Sequence, residues 1–257
     1  MYLTIQGIVL RVTDYNDKDA LLTMLTRRHG RLTVKARGLR RKNSPLIAPC
    51  QLLAYGEFTL FEYRGQYTIN EAQSIELFTP LRRDLTKLSL GTYFAQVSEV
   101  LSQEDMPNPE LQSLLLNCLY ALSKLNLPES QVKAVFELRA ACLSGYTPDL
   151  TGCHVCGSPA PERFDLSAGM LECRNCRSPE SNGIRMPVPP SVLEAMRYIC
   201  YCDSKKLFSF QAGEDTLQQL SEVTEAYLAT QLERGFSTLD FYKSLPVSYT
   251  HLTLPTT

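Results

Sequence analysis

At 257 residues, with 44% apolar and 21% charged residues, the chain can bury a real core and sits near the size at which one core divides into two. This composition excludes wholesale disorder, and no uninterrupted apolar run approaches the ~18 residues of a membrane-spanning helix. A net charge of −1 speaks against nucleic acid as a partner only if the charge is evenly spread.

It is not evenly spread. Residues 1–80 carry 11 Lys and Arg against 7 Asp and Glu, or +4, whereas residues 81–257 carry 15 against 20, or −5. The start of the chain has neither a charged leader nor an apolar run of signal-peptide length, so a cytosolic protein is expected. In that compartment the nine cysteines are reduced thiols or metal ligands rather than disulfides.

From Tyr2 to about Ile75 the apolar period is mostly two, which is the signature of strands with one buried face. Runs over 5–12, 20–26 and 31–36 are separated by turn residues at Asp14, Asn16, Asp17, His29 and Gly30. After a loop over 38–49, further runs cover 51–55, 56–63 and 67–72. Five or six short strands in about 75 residues predict a small closed or partly open barrel. Alternation puts Phe58 and Leu60 on one face and Phe61 and Tyr63 on the other. Some of the aromatics Tyr55, Phe58, Phe61, Tyr63 and Tyr67 are therefore core, and others are free to stack on bases.

Near Pro80 the period changes to 3.6. Asp84 is placed to cap a helix with Leu85, Leu88, Tyr93, Phe94, Val97 and Leu101 on one stripe. A second helix follows through Leu111 to Leu125, and a third through Val132 to Leu143 stops at Gly145, a suitable residue just past a helix end. Helical periodicity returns after Pro190 and again over 214–234. These stripes predict one helical core that closes across an interruption at 147–187. The stretch 246–257 carries no charge and breaks the preceding pattern; it is expected to be a non-native or disordered tail.

The interruption holds Cys153-His154-Val155-Cys156 and, after sixteen residues, Cys173-Arg174-Asn175-Cys176. A two-residue spacer lets both sulfurs of a knuckle reach one ion at about 2.3 Å, and two knuckles complete the closed tetrahedron of a structural zinc site. Cys153, Cys156, Cys173 and Cys176 are thus the expected ligands of one Zn2+ ion. Four protein sulfurs leave no position for a substrate, so the ion's role is to hold a fold. A short hairpin over 163–171 is expected to carry the second knuckle back, and Gly157 to allow the tight turn after the first. Cys50, Cys118, Cys142, Cys200 and Cys202 lie scattered in apolar surroundings and are expected to be small core residues.

Between Asp19 and Glu57 there is no acidic residue over 37 positions, yet Arg27, Arg28, Arg31, Lys35, Arg37, Arg40, Arg41 and Lys42 all fall there. Two basic turns flanking one strand would set seven or eight cations on one side of the barrel as a groove for a phosphate backbone. Four such contacts to single-stranded phosphates would give a log–log salt slope of about −3, at roughly −0.7 each. No phosphate-binding glycine loop, nucleophile elbow or metalloprotease helix occurs, and the three histidines lie in a basic turn, a knuckle and the tail. A non-enzymatic protein without a small-molecule substrate is expected. The competing reading is a zinc-ribbon adaptor for protein partners, with incidental nucleic-acid affinity.

Together, Ile5-Gln6-Gly7-Ile8-Val9-Leu10, Asp17-Lys18-Asp19-Ala20-Leu21-Leu22-Thr23, His29-Gly30-Arg31-Leu32, Ala36-Arg37-Gly38-Leu39-Arg40, Arg82-Arg83-Asp84-Leu85, Gly145-Tyr146-Thr147-Pro148 and the cysteine quartet occur in an order that resembles the RecO family of bacterial DNA repair and recombination mediators. The resemblance covers residues 1 to about 245. It implies an α+β chain, with an OB-fold DNA-binding domain over 1–80 and a helical domain in two parts over 81–146 and 188–245, interrupted by a zinc finger at 147–187. It also implies binding of single- and double-stranded DNA, strand annealing, partnership with RecR, contact with the C-terminal tail of the single-strand-binding protein SSB, and loading of RecA in the cytoplasm. For the SSB tail, a basic helix edge such as Lys133 or Arg139 beside an apolar groove is one expected place of contact.

Overall fold

A computed structural model of the chain describes residues 1–176 and 183–246. Five strands, β1 (Tyr2–Asp14), β2 (Ala20–Thr26), β3 (Gly30–Ala36), β4 (Tyr55–Tyr63) and β5 (Gln66–Glu76), close into a barrel of order β1-β2-β3-β5-β4. Strand β1 closes the barrel because it is long enough to be shared. Its first half pairs with β4, from Tyr2↔Phe61 to Ile8↔Tyr55, and from Gly7 onward it pairs with β2, from Gly7↔Thr26 to Asp14↔Ala20, with an irregularity between Val9 and Arg11. That kind of shift turns a strand from one neighbour to the next. Alternation fills the interior with Ile5, Val9, Leu22, Met24, Val34, Phe58 and Leu60, and Leu39, Leu46 and Cys50 from the long loop join the same core.

The strand expected over 51–55 does not form. Leu53 adopts φ 64°, its N–H donates to Val9 O at 2.8 Å, and its side chain is buried in the helical core, so the chain turns there and extends only from Tyr55. Burying Leu53 outweighs its alternation with its neighbours, and the barrel has five strands rather than six.

Beyond the barrel come α1 (Leu85–Leu101), α2 (Pro109–Lys124), α3 (Glu129–Leu143), α4 (Pro190–Tyr201), α5 (Glu214–Gln231) and α6 (Ser237–Ser244), the last of which the periodicity did not single out. Asp84 and Asn108 accept from the N–H groups of Lys87 and Leu111, satisfying donors that a helix start leaves open. At the end of α3, Tyr146 N–H donates to Ala141 O and Gly145 N–H to Cys142 O, with Gly145 at φ 92°. This paired closure uses the left-handed region where glycine costs least. Helix α3 runs through the centre, with Phe136 stacked on Phe94 of α1 at 4.1 Å. Among the described residues no helix is long and apolar enough to cross a membrane.

Barrel and helices share a core, since Ile8, Leu10 and Leu25 pack with the helical residues. The β2–β3 hairpin locks onto the connection between α1 and α2 and onto the first turn of α2. Arg31 N–H donates to Gln103 O at 2.9 Å, and Gln112 Nε2 donates to Leu25 O at 3.0 Å. Gly30, at φ 63°, lies so close that a Cβ there would stand 2.4 Å from Met106 O.

Between α3 and α4 lies a small sheet of β6 (Asp149–Cys153), β7 (Arg163–Asp165), β8 (Met170–Glu172) and β9 (Arg185–Pro187), in the order β6-β8-β7-β9. The β7–β8 hairpin matches the expected one; β6 and β9 complete a sheet that residues 163–171 alone do not suggest. Helix α4 holds it through Arg197 Nε to Leu150 O at 2.8 Å, and α5 through Gln231 Nε2 to Leu166 O at 2.7 Å. Residues 247–257 of the expected tail, and 177–182 within the interruption, lie outside the described residues.

Candidate nucleic-acid interface and metal centre

The structure divides the eight basic residues into two groups. Strand β3 separates them: seven residues at ~3.3 Å each put its ends roughly 20 Å apart. At one end Arg27, Arg28 and Arg31 lie toward the helices, where Arg31 donates to Glu99 O at 3.0 Å and lies 4.0 Å from Glu104. A cleft of about 670 Å³ opens beside Arg31, lined also by Arg11, Glu99 and Arg234 among others. Arg11 is paired with Glu99 at 2.9 Å, which neutralises part of that charge.

At the other end are Lys35, Arg37, Arg40, Arg41 and Lys42. Asp19 organises this group: its carboxylate accepts from Gly38 N–H at 2.8 Å and pairs with Lys35 at 3.3 Å. The Gly38 amide, then Asn16 and then Lys35 hold that carboxyl below the usual range. Arg40 pairs with Asp14 at 3.1 Å. The absence of acids between residues 19 and 57 is therefore partly answered from outside it, by the β1–β2 turn. Among the described residues Arg27, Arg28, Arg37, Arg41 and Lys42 are exposed and carry no side-chain hydrogen bond or ion pair.

The aromatics sort as strand parity requires. Phe58 is fully buried, while Phe61 and Tyr63 are 41% and 59% exposed. Tyr55 is half-buried, with its hydroxyl donating to Gln6 Oε1. Tyr2, which local periodicity did not single out, stands 62% exposed with its ring 5.4 Å from that of Phe61. Strand register aligns Tyr2 with Phe61, Phe61 with Thr68 and Thr68 with Lys35. Phe61 is thus two strand spacings, about 10 Å, from Lys35 along the outer wall. Arg64 lies over the Tyr63 ring at 5.2 Å. The signal that finds Tyr2 is the β1–β4 pairing, which is long-range.

The four cysteines converge. The sulfurs of Cys153, Cys156, Cys173 and Cys176 all lie within 4.8 Å of one another, and Cys156 and Cys173 are 3.7 Å apart. A tetrahedron with metal–sulfur bonds of ~2.3 Å has edges of about 3.8 Å. Gly157, at φ 73°, lets the first knuckle turn tightly, and Cys173 N–H donates to Cys153 Sγ at 3.3 Å. Burial pushes the Cys153 thiol up, but backbone N–H groups of Cys156, Cys173 and Val155 outweigh it and bring it down to about 6. Cys176 is pushed up to about 12, first by its contact with Cys156 and then by burial. Crowded thiols ionise together only around a cation, so the donor set fits a metal ion that softer ligands hold well.

Two expected surface cations are not available. Lys133 is 3% exposed inside the helical core, paired with Glu137 at 3.0 Å and Glu225 at 2.9 Å. Arg139 spends its guanidinium on Ile199 O and Cys200 O. Helical periodicity showed both as edge positions because α5 and α4, which cover them, arrive from far along the chain.

A family model described as Recombination protein O N terminal matches residues 1–78, and one described as Recombination protein O C terminal matches residues 82–240. The DNA repair protein RecO of Acetivibrio thermocellus is 33% identical over 250 residues, which is 95% of this chain and 97% of its own. That of Alkaliphilus metalliredigens is 29% identical over 248 residues, covering 95% and 100%. That of Bacillus subtilis is 29% identical over 223 residues, covering 86% of each chain.

Proposed function

Because the chain belongs to the RecO family, we propose that it is a non-enzymatic DNA-binding mediator that anneals complementary single strands and helps load recombinase on SSB-coated DNA. The observation that carries this reading is the loop leaving β3, where Arg37, Arg41 and Lys42 are exposed and unpaired, on a barrel whose exposed aromatics Phe61 and Tyr2 stand two and three strands across from Lys35. Phosphates bind the cations without regard to sequence, and bases stack on Tyr2, Phe61 and Tyr63. Lys35 and Arg40 border this surface already paired to carboxylates, so they set its shape more than its free charge. Arg27, Arg28 and Arg31 form a second anchor at the far end of β3, suited to a longer strand or a second one.

Annealing then needs no bond made or broken by the protein. Two DNA strands repel through their phosphates, the cations screen that repulsion, and complementary bases pair. The organisation into 1–80 for DNA, 81–146 with 188–245 as helical support, and 147–187 as an inserted finger follows the same reading. One zinc ion held by Cys153, Cys156, Cys173 and Cys176 would supply structural closure of the finger, with no open ligand position for chemistry. RecR and the SSB tail are the protein partners proposed; with Lys133 and Arg139 committed internally, the tail docks elsewhere.

The test is annealing of complementary oligonucleotides coated with SSB, followed by fluorescence quenching at near-physiological salt. Acceleration by this protein supports the reading. No acceleration, with the metal site intact, leaves an adaptor for protein partners.

A further inference from the structure

Two cysteines that look like scattered core residues in the sequence meet in the fold. Cys142, in the last turn of α3, and Cys200, in the last turn of α4, have sulfurs 3.7 Å apart, although 58 residues separate them. Cys50 and Cys118 are different: each is buried, without a thiol partner, and pushed up by burial, Cys50 to about 12. The Cys142 environment favours reaction. It is half-buried rather than sealed, the Cys200 thiol beside it holds it below the ordinary thiol value, and Thr147 and Arg139 act in the same direction. Cys200 is buried behind it, so Cys142 is the thiol of the pair that solvent reaches first.

We infer that Cys142 and Cys200 are a redox-active pair, separate from the metal quartet, which hydroperoxides convert to a disulfide. The Cys142 thiolate attacks one peroxide oxygen, breaking the O–O bond and giving a sulfenic acid and hydroxide. The Cys200 sulfur then attacks the Cys142 sulfur, the S–O bond breaks, and the hydroxyl leaves as water with the Cys200 proton. In sum two thiols and one hydrogen peroxide yield a disulfide and two waters. The bond would close a loop containing the whole four-cysteine module, at the end of α3 that leads into it. Helix α4 already grips that module through Arg197 to Leu150 O and Thr151 O.

The metal-loaded full chain is treated with hydrogen peroxide, denatured and alkylated, with bound metal measured in parallel. Free thiols, nine in the reduced chain once denatured and stripped of metal, are expected to fall by two. Chymotryptic mapping, which cuts after Tyr201 and so separates Cys200 from Cys202, is expected to yield a Cys142–Cys200 linked peptide that dithiothreitol dissolves. Cys202→Ser keeps the link and Cys142→Ser abolishes it. The inference is overturned if the thiol count does not fall, if Cys202 is the partner, or if oxidation is confined to the metal ligands with loss of metal. Mapping of the unsubstituted chain decides the matter even if a variant fails to fold.

Discussion

Replacing Lys133 with Met tests the internal electrostatics of the helical domain. The ammonium sits between Glu137, which is 0% exposed, and Glu225, and also donates to Ser221 O; Glu137 in turn accepts from Tyr93 and Thr224. Methionine keeps the length but leaves Glu137 without its counter-charge. Removing one partner of a buried ion pair costs about 3–5 kcal/mol, which at ~2–4 °C per kcal/mol lowers Tm by roughly 10 °C. Burial pushes the Glu137 carboxyl above its ordinary value of 4.5, and Lys133 pulls it back. Without Lys133 it rises further. A carboxyl raised in the folded state has its full stability below the unfolded value and loses it as pH climbs toward the folded one. The deficit of Lys133→Met should therefore be full at pH 8 and smaller near pH 5, while Lys133→Met with Glu137→Gln recovers part of it. Thermal melts followed by circular dichroism at both pH values measure this. A shift under about 2 °C at pH 8, or one equal at both pH values, would refute the reasoning.

Arg37→Ala, Arg41→Ala and Lys42→Ala combined should reduce the steepness of the salt dependence of single-strand binding by about 2, at ~0.7 per contact, and leave Tm unchanged because these side chains hold no protein partner; an unchanged slope counts against the loop as the interface. Phe61→Ala should weaken single-strand affinity by ~1–3 kcal/mol if its ring stacks a base, with little effect on duplex DNA, as measured by anisotropy on both substrates. Gly30→Ala meets both a positive φ and Met106 O at 2.4 Å, so it should destabilise by about 2 kcal/mol or more, and a neutral result would mean that the hairpin is not tightly seated. Cobalt substitution should give the absorption of a tetrahedral all-sulfur site, and replacing Cys173 with Ser should weaken or abolish it.

Much of this protein is legible from local pattern. Period two over the first 75 residues and period 3.6 after Pro80 follow from which side chains must be buried, and the caps at Asp84 and Gly145 follow from backbone groups that every helix end must satisfy. The C-x-x-C spacing marks the four sulfurs that the fold gathers within 4.8 Å, because two residues are the span that lets both sulfurs of a knuckle face one point. What local pattern does not carry is whatever depends on a distant partner. The turn at Leu53 comes from burial against α1, and Tyr2 meets Phe61 only through strand register. Lys35 and Arg40 lose their free charge only because the fold brings Asp19 and Asp14 against them. Lys133 and Arg139 look like a surface edge until α5 and α4 cover them, and Cys142 finds Cys200 only when α3 and α4 pack. Local sequence encodes the period and chemistry of each element, while neighbours across the fold decide which charges stay free and which thiols meet.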